Sequence, residues 1–106
     1  MTTFDDRDKG FENKYAHDEE LSFKAHARRN KLLGLWAAAK LGKQGAEAEQ
    51  YAKDVVLADF ESGGDIVEKL LKDFTRAGIS LAAKDIRAEM DRLLPIARTQ
   101  IMGEAS

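Results

Sequence analysis

The stretch Asp65-Ile66-Val67-Glu68-Lys69-Leu70-Leu71-Lys72-Asp73-Phe74-Thr75-Arg76-Ala77-Gly78-Ile79 decides the fold class, because it carries the start, the face and the stop of one short helix. Asp65 is placed to accept from first-turn backbone donors, and Glu68 three residues on completes an approximate capping box. Ile66, Val67, Leu70, Leu71 and Phe74 then recur at helical spacing and make one apolar face. Gly78 supplies the left-handed residue that ends a helix, and Ile79 is expected to fold back on the last turn in a Schellman ending.

Outward from this helix the same period repeats. On the C-terminal side Ser80 is the expected cap of a fourth helix, and Ala82, Ile86, Met90, Leu93, Leu94, Ala97 and Ile101 form its apolar face. Pro95 interrupts that run. A proline inside a helix removes a hydrogen bond and crowds the preceding turn, so a kink is expected there in preference to a full break. On the N-terminal side Gly63-Gly64 separates off a second helix, about 46–61, whose expected buried face is Ala48, Tyr51, Ala52, Val55, Val56 and Phe60, with Asp59 as its solvated edge. Gly42 and Gly45 bracket a further break. Before it, Leu21, Ala25, Leu32, Leu35, Trp36 and Ala39 make the stripe of a first helix running from about Leu21 to Leu41. Gly34 lies inside that helix at a cost of up to ~1 kcal/mol against Ala, which predicts another helix packed closely beside Trp36. Alternating apolar and β-branched runs, the mark of strands, are absent. The expectation is an all-α, up-and-down four-helix bundle over residues 21–106, its helices joined by short loops that favour antiparallel neighbours.

Residues 1–20 behave differently. Phe4, Phe11 and Tyr15 are seven and four apart, so a helix would put them on one face. Few other apolar residues accompany them, and three aromatics cannot offset the backbone ordering of ~1–2 kcal/mol per residue. An isolated helix of this length is marginal in water. This segment is therefore expected to be a mobile N-terminal arm that becomes helical when its aromatic face meets a partner.

Composition narrows the function. The 106 residues carry 17 Lys and Arg against 19 Asp and Glu, a net charge of −2, and no cysteine. Disulfides and thiolate metal sites are thereby excluded. A nucleic-acid binder would carry a larger basic footprint than Arg28-Arg29 with Lys31. No apolar run approaches the ~20 residues of a membrane span, and the acidic start is unlike a secretory signal. A cytoplasmic protein without direct membrane insertion is expected. Catalysis finds little support. His17 and His26 are nine apart and point to opposite sides of a continuous helix, whereas zinc pairs want three or four. The serines lack a nucleophile-elbow context, and Gly42-Lys43-Gln44-Gly45 reads as a helix connection rather than a phosphate loop. Arg28, Arg29 and Lys31 read as a solvated face pairing with Glu19 and Glu20, or alternatively as a contact for an anion or an acidic surface, such as the phosphates of an adenine nucleotide. No cofactor is implied.

The runs Met1-Thr2-Thr3-Phe4-Asp5-Asp6-Arg7, Phe11-Glu12, Asp18-Glu19-Glu20-Leu21 and Ala27-Arg28-Arg29-Asn30-Lys31-Leu32-Leu33-Gly34-Leu35-Trp36-Ala37-Ala38 resemble the zeta subunit family of alphaproteobacterial F-type ATP synthases. The likeness continues at Tyr51-Ala52-Lys53-Asp54-Val55-Val56 and Ala58-Asp59-Phe60-Glu61. The resemblance implies a four-helix bundle with an inhibitory N-terminal arm, and a protein that is no enzyme but restrains ATP hydrolysis by the synthase. It implies that the arm, as Thr3, Phe4, Asp5, Asp6, Arg7, Phe11, Glu12 and Tyr15, enters an interface between catalytic alpha and beta subunits near the central rotor subunit, at the membrane-peripheral synthase. Gly10 departs from a strong helix former within that arm. The alternative is a small helical nucleotide-binding regulatory module, and a scaffold bundle with an unrelated partner is a third reading.

Overall fold

In the computed structural model, residues 3–61 and 65–105 are described, with side chains for 19–61 and 65–104. Four α-helices follow one another among the described residues: α1 Thr3–Lys40, α2 Ala46–Glu61, α3 Ile66–Arg76 and α4 Ala83–Ala105. Each runs antiparallel to the next, as the short connections predict. Phe23 of α1 meets Phe60 of α2, Gly34 meets Ala52, and Arg28 of α1 reaches Gln100 and Glu104 of α4. The long α1 packs chiefly against α2 and α4, and the short α3 bridges α2 and α4.

The helix ends follow their sequence signals in part. Gly78 has a φ of 74°, Ile79 donates to the Phe74 carbonyl at 2.8 Å, and Gly78 donates to Thr75 at 3.0 Å, which is the predicted Schellman pattern. α1 closes the same way, with Lys43 donating to Ala38 at 2.9 Å and Gly42 to Ala39 at 3.1 Å. At the start of α3, Asp65 accepts from the Glu68 amide at 3.1 Å, but the Glu68 carboxylate pairs with Lys72 at 3.2 Å, so only one half of the expected capping box is made. Ser80 is not the cap of α4. That helix begins at Ala83, and the Asp85 carboxylate accepts from the Ala82 amide at 3.0 Å, satisfying an orphan donor from within the first turn. α4 passes through Pro95 without a break. Pro95 and Asp91, whose carbonyl loses the N–H that a proline lacks, are both exposed residues.

The core joins all four helices: Leu33, Ala37 and Ala38 from α1, Tyr51 and Val55 from α2, Ile66, Leu70 and Phe74 from α3, and Ile86 and Leu93 from α4. The stripe expected on α1 is shifted. Leu33, Ala37 and Ala38 are its most buried members beside Ala25, Trp36 is half-buried, and Ala39 is exposed. The reason is that α2 and α4 flank α1 on two sides, so the covered face is broader than one stripe and centred elsewhere. Phe60, expected in the core, is exposed.

Gly34 shows why α1 tolerates a poor helix former. A Cβ built there would lie 2.7 Å from the Ala52 Cα and 3.2 Å from the side chains of Ala52 and Val55. The backbone of α2 occupies that space, as the sequence predicted for a neighbouring helix. Gly34→Ala therefore forces the two helices apart. We expect it to lower stability by about 1–3 kcal/mol, against the up to ~1 kcal/mol that Ala gains in helix propensity. Thermal unfolding checks the sign, because a propensity effect alone would raise the melting temperature.

Candidate functional site

The end of the bundle at which α1 emerges gathers the features that bear on binding. α1 runs unbroken for 38 residues, about 57 Å. On its α2 side the described contacts begin at Phe23, whose ring lies 5.8 Å from that of Phe60 at a tilt of 48°. On its α4 side they begin at Leu21, which lines a small apolar recess of about 160 Å³ with Ala25, Ile101 and Met102. Thr3, Phe4, Asp5, Asp6, Arg7, Phe11, Glu12 and Tyr15 belong to the part of α1 that precedes this end, and their side chains lie outside the described residues, as does the expected mobility of the arm. The Gly63-Gly64 turn also lies outside them.

Two members of the basic cluster are engaged within the bundle. Arg28 donates to Gln100 at 2.9 Å and, through Nη2, to both Glu104 oxygens at 2.6 and 2.9 Å. It thereby clamps the last turns of α4 onto α1 with a charge-assisted fork. Arg29 donates through Nε and Nη2 to the Asn30 side-chain oxygen at 3.2 and 3.0 Å. Burial lowers the Arg29 pKa, partly countered by Asp59 and Asp91, and a guanidinium stays charged regardless. Lys31 is exposed. Arg28 and Lys31, three residues apart, share a face of α1, and Arg29 lies ~100° round from Arg28. Arg28 and Arg29 are both engaged by protein partners, and Lys31 is the exposed member.

Two polar groups that sequence reasoning passed over hold the helices in register. Asn30 is only 2% exposed, and its amide donates to Asp59 at 3.0 Å while its oxygen accepts from Arg29. Asp59, expected as a solvated edge, is a half-buried partner of that amide. A buried Asn demands such partners. Among the described residues no buried side-chain polar atom lacks one. Tyr51 donates to Asp73 at 2.6 Å, and Lys69 donates to the same carboxylate at 3.1 Å. A tyrosine within an apolar face was the available signal, since its hydroxyl needs a partner when buried.

Burial by itself would raise the Asp73 pKa, but the hydrogen bonds from Tyr51 and Lys69 outweigh it and hold the carboxyl below its ordinary range. Burial first, and then the bond to Asp73, push the Tyr51 hydroxyl well above its ordinary value. Because the folded pKa of Asp73 is depressed, its contribution to stability is complete above the unfolded value of about 4 and is lost as pH falls through the lower folded value. The urea midpoint of the unaltered chain should therefore fall more between pH 7 and about pH 2.5 than that of Asp73→Asn. Equal falls would exclude this carboxylate from the acid response.

Among the described residues no cluster of His, Asp or Glu is arranged to hold a metal ion, and no helix is long and apolar enough to cross a membrane. The sequence profile described as ATPase inhibitor subunit zeta matches residues 1–100. No curated protein matches the chain. A protein structure solved by solution NMR is 44% identical, covers 79% of this chain and 98% of its own, and superposes with a TM-score of 0.68.

Proposed function

The chain belongs to the ATPase inhibitor subunit zeta family, and from that premise we propose that it restrains the F-type ATP synthase by inserting its N-terminal arm into a catalytic interface. The family implies the coarser part: a regulatory protein without enzymatic activity that inhibits ATP hydrolysis by the F-type ATPase. The finer part concerns how. Residues 1–20 act as the inhibitory arm and 21–106 as the bundle that carries it. The arm enters between an alpha and a beta subunit beside the central rotor subunit and opposes the rotation that hydrolysis drives. Phe4, Phe11 and Tyr15 anchor it in apolar pockets, because aromatic anchors dominate interface energies. Thr3, Asp5, Asp6, Arg7 and Glu12 set its register through hydrogen bonds and charge. The bundle is too wide to follow and stays outside, at the cytoplasmic side of the membrane-bound enzyme.

One observation carries this reading. α1 is continuous from Thr3 to Lys40, while α2 ends at Glu61 beside Phe23 and α4 ends at Ala105 beside Arg28. The arm thus extends past the bundle along the helical axis that an inserted wedge needs. The test is ATP hydrolysis by the catalytic portion of an alphaproteobacterial synthase, with the full chain and with a version lacking the residues before Leu21. Inhibition by the full chain alone is expected. Equal inhibition by both would remove the arm from the mechanism.

A further inference from the structure

Phe23 and Phe60 are each 59% exposed, and Leu57, one turn before Phe60, is 52% exposed. The two rings meet across α1 and α2, and the bundle leaves each more than half exposed. Together the three side chains offer water about 300 Å² of apolar surface, whereas most other large apolar residues among those described are buried or half-buried. The patch sits at the last α2 contact of α1, at the end where the arm departs.

We infer that Phe23, Phe60 and Leu57 form a second docking patch, which seats on apolar surface of the ATPase catalytic head bordering the slot taken by the arm. The inference rests on the arm reading above and adds to it a grip by the bundle itself. Position supports that occupant. Tyr15 and Phe23 are separated by eight residues of one helix, about 12 Å, so a partner that encloses Tyr15 has its rim within reach of Phe23. Among the described residues no helix covers the place. α1 leads away from the bundle in a continuous helix, and α4 ends on the opposite flank, where Arg28 holds Glu104 and Leu21 and Ile101 line one recess. The patch alone, about 300 Å², falls short of the ~800 Å² per partner that a stable interface between two copies needs. As the continuation of an arm interface the same area suffices.

The full chain bearing Phe23→Ser and Phe60→Ser provides the test, with the catalytic portion of the synthase as binding partner. The half-inhibition concentration should rise about tenfold or more, while the melting temperature stays within about 5 °C of the unaltered chain. Leu57→Lys keeps both rings and should weaken inhibition in the same direction, which separates lost docking from lost folding. Titrations of both variants that coincide with the unaltered chain would overturn the patch and leave the arm standing. An unaltered chain that does not inhibit at all would overturn the arm reading, and the patch with it. A dimer in sedimentation velocity that Phe23→Ser splits would assign the patch to a second copy and overturn the proposal.

Discussion

The full-length chain carrying Phe4→Ala and Phe11→Ala is expected to inhibit ATP hydrolysis about a hundredfold less well than the unaltered chain, yet to melt at the same temperature. Truncating one aromatic anchor at an interface costs about 2 kcal/mol or more, and two anchors on one short helix lose more than either alone, though not their simple sum. Register explains why these two are the sensitive ones. Phe4, Phe11 and Tyr15 are the arm's only large apolar residues apart from Met1, and all three share one helical face, so they are the side chains able to fill apolar pockets together. Melting should not change, because the described core is built from residues of Ala25 and beyond. Gly10 sharpens the expectation. It weakens the arm as a helix, so Gly10→Ala should strengthen inhibition by up to about fivefold, the equivalent of ~1 kcal/mol in helix propensity. A hundredfold loss with unchanged melting would tie inhibition to the aromatic face. Unchanged inhibition would break the link between this segment and the activity.

Much of the bundle was legible because helix signals are local. The Asp65 cap, the Gly78 stop and the apolar face between them act within a few residues, and each has its structural counterpart. Gly34 was legible for a different reason: a poor helix former held inside an apolar stripe signals something pressed against it, and Ala52 is what presses. Periodicity failed where it could not say how far a neighbour extends. On α2 it assigned Phe60 inward and Asp59 outward, and the reverse holds. Asp59 turns toward the bundle because the buried Asn30 amide requires an acceptor, and Phe60 lies past the cover of the other helices. Ser80 was favoured as a cap by residue type alone, but Asp85 supplies the acceptor from within the helix. The basic cluster Arg28-Arg29 with Lys31 is dense in sequence, but Arg28 is engaged by Gln100 and Glu104 of α4, partners too far along the chain for the local run to show.

Phe74→Ala is expected to cost the bundle about 3–5 kcal/mol, the largest effect of any single core truncation here, and to lower its melting temperature by roughly 15–25 °C. Phe74 is 1% exposed and the largest fully buried side chain among the described residues. Its ring meets the half-buried Trp36 edge to face, with centroids 6.0 Å apart and planes at 86°. It also carries the carbonyl that accepts from Ile79 and ends α3. The surroundings cannot collapse into the space it leaves, because Leu33 and Leu70 are already fully buried in a core shared by all four helices. A loss of that size is a large share of the 5–15 kcal/mol typical of a domain. Denaturant unfolding distinguishes two routes to it. A lower midpoint with an unchanged slope means that α3 and the rest unfold as one unit, whereas a shallower slope means that α3 detaches first. Measured well below its melting temperature, this variant should still inhibit hydrolysis within about twofold, since the arm precedes every residue that Phe74 supports. The aromatic arm variants and Phe74→Ala then act on separate properties of one chain: the first remove inhibition and spare folding, the second weakens folding and spares inhibition. Inhibition lost in the cold, folded Phe74→Ala variant would place part of the inhibitory surface on the bundle core side of α1 and would require the division at Leu21 to be redrawn.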